Sequence, residues 1–285
     1  MALDFSIVGS TTEPHPVEWT SDQALLYAVG VGAGSDESVS ELAFTTENTQ
    51  GVPQAVLPTF PVVLGHGAPR LSYGDIDLTR MVHAFQSVEI AAPLAPHGSG
   101  FYSSTVTGMY DKGSGALITT ESLLTGEDGE PLALMAGGAF LRGEGGFGGD
   151  RGPSTPWAAP DRAPDAEVEQ RTVPWQALLY RLSGDRNPLH SDPKFAVAGG
   201  FPRPILHGLC TYGFVGRALL HAAAGSDPAR LRSIHARFSS PVMPGDTLTT
   251  SLWFEDGETL FVTRTQDGTP VLTQGRAVVE QGSNR

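Results

Sequence analysis

PWQALLYRLSGDRNPLHSDPKFAVAGGFPRPILHGLCTYGFVG, residues 174–216, is the stretch from which both the fold and the chemistry of this chain are read. Trp175 to Leu182 is apolar and helix-like, and it ends at Ser183-Gly184. A polar turn follows, Asp185-Arg186-Asn187-Pro188, and then His190. Pro188 biases Asn187 away from helical backbone angles, so Asp185 and His190 flank a loop rather than share a helix face. Seventeen residues after His190, His207-Gly208 opens a mostly apolar run from Leu209 to Ala224 that reads as a buried helix. An acid and an imidazole on one loop, just ahead of such a helix, form the most reaction-like constellation in the chain.

Working outward, parts of this stretch occur twice. Gln23-Ala-Leu-Leu-Tyr27 returns as Gln176-Ala-Leu-Leu-Tyr180, an offset of 153. Phe60-Pro61 returns as Phe201-Pro202, and Pro93-Leu-Ala-Pro96 echoes Pro241-Val-Met-Pro244. Three matches in one order indicate two diverged structural copies. At the 153 offset Gly32 stands opposite Asp185 and Glu37 opposite His190, so the first copy lacks the acid–imidazole pair. Where the second copy has its apolar run, the first has GHGAPRLSYGDIDLTRM, residues 65–81, broken by Pro69 and Gly74. A short or missing central helix is expected there. The vacated volume would be a tunnel for a long or bulky group.

Each copy ends in β-prone runs with Gly-rich turns between them. They are Phe101 to Tyr110, Ala116 to Leu124 and Pro131 to Leu141, then Ile234 to Phe238, Thr247 to Glu255, Thr259 to Gln266 and Pro270 to Val279. One buried helix wrapped by an antiparallel meander is a hotdog, and two copies make an α+β double hotdog. The expected domains are 1–142, an N-terminal repeat that has lost the pair and accommodates such a group, and 166–285, the C-terminal repeat that carries the chemistry. Between them, 143–165 is a Gly- and Pro-rich linker. It contains a formal G-x-G-x-x-G at Gly143, Gly145 and Gly148, but GDRGPSTPWAAP follows where a dinucleotide site needs a helix. No Walker A sequence and no metal-type Cys/His spacing is present.

With 285 residues the chain can bury a large core. A net charge of −13 argues against nonspecific binding to nucleic acid or anionic membranes. Cys210 is the only cysteine and excludes a disulfide framework; in an apolar run it reads as a core thiol. No run approaches the roughly 20 apolar residues of a membrane span. The start, MALDFSIVGSTTEP, lacks signal-peptide character, and the last five residues, Gln281 to Arg285, do not read as a peroxisomal SKL address. A cytoplasmic protein is expected.

YRLSGDRNPLHSDPKFA followed by RPILHGL resembles the hydratase-2 motif of (R)-specific enoyl-CoA hydratases, the MaoC-like dehydratases. LYAVGVGAG, LPTFPVVLG, DKGSG, GGFGG and ARFSSPVMPGDTL extend the resemblance to the two-part hydratase 2 of peroxisomal multifunctional enzymes, from about Trp19 to Val279. It implies the double hotdog and reversible hydration of 2-enoyl-CoA to (3R)-3-hydroxyacyl-CoA, with an acyl-CoA as partner and a homodimer as assembly. No metal or redox cofactor is expected, because the thioester supplies the activation and CoA is part of the substrate. It also implies acyl-CoA contacts at His83, Ala84, Lys112, Gly208 and Phe238. Ala84 stands where relatives carry glycine, and Lys112 would offer a phosphate a flexible point charge. A further glutamate of the first copy has Glu47 as its nearest candidate.

That reaction needs water at C3, a proton at C2, and a donor for the charge that develops on the thioester oxygen. Asp185 and His190 supply the first two, with Asp185 and Asn187 set by the turn. Gly208, at a helix start with free N–H groups, supplies the third. The rival readings are a hotdog acyl-CoA thioesterase and a non-catalytic acyl-CoA-binding module in which the loop only recognises ligand.

Overall fold

The computed structural model describes residues 2–35, 39–154 and 156–280, so Glu37 and the five C-terminal residues lie outside it. In chain order the first half holds β1 (Ala2–Leu3), β2 (His15–Trp19), α1 (Ser21–Gly30), α2 (Leu42–Thr45), α3 (Pro61–Leu64) and β3 (Gly74–Asp75). It continues with β4 (Met81–Ile90), β5 (Gly98–Asp111), β6 (Gly115–Gly126) and β7 (Pro131–Arg142). The second half holds β8 (Ala166–Arg171), α4 (Gln176–Tyr180), α5 (Pro193–Ala198) and α6 (Gly208–Ala222). It ends with β9 (Leu231–Phe238), β10 (Thr247–Glu255), β11 (Glu258–Thr265) and β12 (Pro270–Val279). β1 and β3 pair in a small ribbon.

The other ten strands form one antiparallel sheet in the order β2-β5-β6-β7-β4-β9-β12-β11-β10-β8. Each half contributes five neighbouring strands in corresponding order. The halves meet where β4 pairs with β9, from Phe85 opposite Arg237 to Glu89 opposite Ser233. This is the double hotdog. The expected strands are all present. Three others go beyond the sequence reading: β4, and the edge strands β2 and β8, which are only five and six residues long.

The QALLY repeat is structural. Both copies are helical, in α1 and α4, and both tyrosines are fully buried with ring centroids 6.1 Å apart. α1 starts with a capping box, in which the Thr20 hydroxyl accepts from Gln23 N–H and the Gln23 side chain accepts from Thr20 N–H. Gln176 Nε2 donates to Gly30 O at 2.7 Å, which ties the two helices together. The Phe-Pro echo is not structural. Pro61 opens α3, whereas Pro202 lies in irregular chain ahead of α6.

α6 is the axle of the fold, with every residue from Leu209 to Leu220 buried. Gly213 and Gly216 bring it close to the first half: a Cβ at either would fall 2.4 Å from Val31 or 2.5 Å from Thr59. At comparable depth the first half has only α3, four residues, followed by the single 3-10 turn Gly65–Gly67. The central helix of the first copy is therefore cut short, as its prolines and glycines predict.

Candidate active site

The loop after α4 is built by short-range bonds. Asp185 Oδ1 accepts from Asn187 N–H at 3.1 Å, and Asn187 Oδ1 accepts from Leu189 N–H at 3.0 Å. The second bond caps the 3-10 turn Pro188–His190, with proline in its first turn where a missing N–H costs nothing. Gly184, at φ +121°, turns the chain just before Asp185.

His190 is buried, and its Nδ1 donates to Ile205 O at 2.9 Å. That bond fixes the tautomer and leaves Nε2 as the basic nitrogen. Burial lowers its pKa, so the ring is neutral at physiological pH; the Ile205 carbonyl and the Asp185 charge oppose the shift. His207 stacks on His190 with centroids 3.7 Å apart, and its Nε2 donates to the Asp185 backbone carbonyl at 3.3 Å. Burial, followed by the neighbouring His190, takes His207 down to about 3. Burial alone would raise Asp185, but its pKa is lowered overall, and the bond from Asn187 N–H favours the carboxylate. The loop therefore presents an ionised acid beside two neutral imidazoles. One nitrogen or oxygen from each of Asp185, His190 and His207 lies within 4.8 Å of the others.

Asp185 and His190 open on a cavity of about 580 Å³. Asp185, Asn187, His190, Gly208 and Phe238 line it from the second half and His83 from the first. Gly208 is the first residue of α6, where N–H groups have no intrahelical acceptor. A Cβ there would lie 3.1 Å from the Phe238 ring, so glycine keeps the helix start open to a ligand. The His83 ring packs 4.7 Å from Phe238, and burial lowers its pKa to about 4. Ala84 falls in a β-bulge: His83 faces Ala139 and Phe85 faces Gly138 across β7, and Ala84 has no partner in that ladder. It does not line the cavity.

Lys112 is not brought to the cavity. It sits on the β5–β6 turn with Nζ on the Arg151 carbonyl. Glu47 is exposed and absent from the lining. A buried carboxylate of the first half is Glu41, which accepts from Arg217 Nε and from His221 Nε2. Burial would raise its pKa, but His221, Arg217 and Gly34 N–H hold it at about 2. The local sequence around Glu41 offers no sign of this, because its partners lie 176 and 180 residues away.

His66, also overlooked in the sequence, comes from the degraded segment of the first half. It lines the cavity beside the loop, and a Cβ at Gly184 would lie 2.8 Å from its own Cβ. Its Nε2 is buried without a partner. Its position in GHG, where a helix is missing, was the available signal. Beyond the loop the cavity runs into the first half, against Val62, Tyr102, Val106, Ile118 and Met135.

Comparison with known proteins places each half separately. Residues 17–143 match the MFE-2 hydratase 2 N-terminal domain, and residues 156–275 match the MaoC like domain. The chain is 44% identical to enoyl-CoA hydratase ChsH3 of Mycobacterium tuberculosis, over 96% of this chain and 98% of that protein. It is 45% identical to 3-hydroxyacyl-thioester dehydratase Y of the same organism, over 99% and 98%. A MaoC-like dehydratase from Phytophthora capsici superposes with a TM-score of 0.87 over the whole of both chains at 35% identity. Sequence motif, ten-strand sheet and relatives agree, and the chain belongs to the two-part MaoC-like hydratase 2 family.

Proposed function

We infer that this chain is an (R)-specific 2-enoyl-CoA hydratase, a hydro-lyase that adds water reversibly and syn to trans-2-enoyl-CoA to give (3R)-3-hydroxyacyl-CoA. The observation that carries this reading is the convergence of Asp185, His190 and the start of α6 on one cavity that continues into the other half. In the inferred mechanism a water held between the Asp185 carboxylate and His190 Nε2 attacks C3. The proton it gives up passes through this pair to C2 on the same face, so one water is consumed and no other group changes oxidation state. Asn187 fixes the turn. Gly208 N–H donates to the thioester oxygen as its charge grows, a kind of contact worth about 3–4 kcal/mol elsewhere. His83 and Phe238 wall the reacting end.

The test is a panel of trans-2-enoyl-CoAs with the configuration of the product determined. A (3R) product is expected. A (3S) product, release of free CoA from a saturated acyl-CoA, or binding without turnover would each sink the reading; the last two outcomes favour the thioesterase and the binding module. The proton transfers require no metal, so dialysis against a chelator should leave kcat unchanged.

We further propose a cytoplasmic location and a homodimeric assembly. The cytoplasm suits a chain with one buried free thiol and no described helix long and apolar enough to cross a membrane. A homodimer would cover the exposed Trp175, Leu178 and Leu182 around α4, and sedimentation would test it.

A further inference from the structure

Beside the cavity is a shallow depression of about 280 Å³ bounded by Arg80, Arg142, Gly143, Ala198, Gly199 and Gly200. We propose that it binds a phosphate group of the carrier to which the acyl thioester is attached. This rests on the thioester reading above and adds a recognition site for the carrier.

Arg142 ends β7 and lines both the cavity and the depression, so the two lie side by side. Its Nη2 donates to Gly199 O at 2.7 Å and its guanidinium lies 5.2 Å from the centroid of the Phe201 ring. Both contacts hold the group in place, and neither neutralises it. Its Nε is without a hydrogen-bond partner, and among the described residues no carboxylate pairs with it. Arg80 forms another wall. Its Nε lies 3.4 Å from Asp77 Oδ2. Arg80 precedes His83 by three residues, about 10 Å of extended chain, a span that a pantetheine arm can cover.

Three of the six residues that bound the depression are glycines. Gly143 and Gly200 have φ of +82° and +84°. A Cβ on them would point at Arg80 Nη1, 3.1 Å away, and at Arg142 Nη1, 3.9 Å away. Gly143 N–H also donates to Ser114 O, which sets the depression against the turn carrying Lys112. In a chain of net charge −13, two guanidinium groups flanking an open pocket run against the bulk field. Guanidinium forks match the geometry of phosphate oxygens and bind them with charge-assisted hydrogen bonds.

The experiment compares hydration of one enoyl group carried on CoA, on 4′-phosphopantetheine and on phosphate-free pantetheine. Wild type, Arg80→Gln, Arg142→Gln and Arg142→Lys are assayed. For each glutamine variant the ratio of kcat/KM on CoA to that on pantetheine should fall at least tenfold, mainly through KM. Arg142→Lys should retain part of the ratio. A matching fall with phosphopantetheine assigns the site to the phosphate of the arm; a fall with CoA alone assigns it to the nucleotide phosphates. An unchanged ratio overturns the proposal. Arg80 is half-exposed, so its variant carries the test even if Arg142→Gln fails to fold. Hydration of none of the three thioesters by the wild type would instead overturn the hydratase reading itself.

Discussion

The two halves share a strand order and differ in what the sheet encloses. Under the second half α6 runs for 15 residues and fills the core; under the first, α3 stops after four, and residues of the 65–82 segment line a cavity. Protein interiors are close-packed, so a helix removed must be replaced by chain, water or ligand. Here loop and cavity share the space. The half that kept its helix kept the N–H groups at its start and the acid–imidazole loop. We propose that the half that lost it became the room into which a substrate extends. On that proposal, duplication followed by loss in one copy divides chemistry from accommodation within one sheet.

The sharpest way to break this comparison is to remove the chemistry from the second half. Asp185→Asn and His190→Gln should each lower kcat for hydration by about 10²–10⁴-fold, the usual contribution of positioned acid–base groups. Circular dichroism should show the fold retained. Wild-type kcat in either folded variant would remove that residue from the mechanism. In the wild type, kcat/KM should rise with pH as His190 loses its proton and then level off. Because burial lowers that pKa, the midpoint should fall below the ordinary value of 6.5.

The joint between the halves comes next. Glu41→Gln leaves Arg217 buried opposite a neutral partner, and breaking such a pair costs about 3–5 kcal/mol. Denaturant unfolding should register the loss. Glu41 is held at about 2, below its unfolded value of 4.5, so its contribution is complete above pH 4.5. That contribution should fade as pH drops toward 2, and the Gln variant should lack this part of the acid sensitivity. Equal acid profiles for the two proteins would show that the pair does not govern it.

Rebuilding a site in the first half should fail. Gly32 has φ +85°, and a Cβ there would fall 2.4 Å from the Phe214 ring and 3.0 Å from Arg217 Nη1. Gly32→Asp should therefore destabilise the protein by about 1–3 kcal/mol, the cost of a non-glycine residue in that backbone region. With Glu37→His added in an Asp185→Asn background it should restore no hydration. Recovered activity would show a complete second centre.

The smallest effect concerns the room itself. Each further methylene buried along Val62, Val106, Ile118 and Met135 contributes up to about 0.8 kcal/mol before ordering costs. Medium, long or bulky enoyl-CoAs should then have higher kcat/KM than crotonyl-CoA. A steady fall from four carbons upward would rule out the tunnel and leave the hydratase reading standing.

The local sequence determined a good deal of this. Asp185, Asn187, Pro188 and His190 are set by bonds spanning two or three residues, so their turn was legible from residue types alone. The hairpin strands followed from alternating β-prone runs, and the missing helix from Pro69 and Gly74, because backbone restrictions act where the residue stands. What only the tertiary structure decided depends on partners far along the chain. Glu41 meets Arg217, Gly32 meets Phe214, His66 packs on Gly184, and Arg142 comes to Gly199. β4 was missed because its strand character comes from lying between β7 and β9 at the seam of the two halves. Desolvation, cavity shape and the electrostatics of buried groups arise only when distant segments pack together, and no single stretch of the chain encodes them alone.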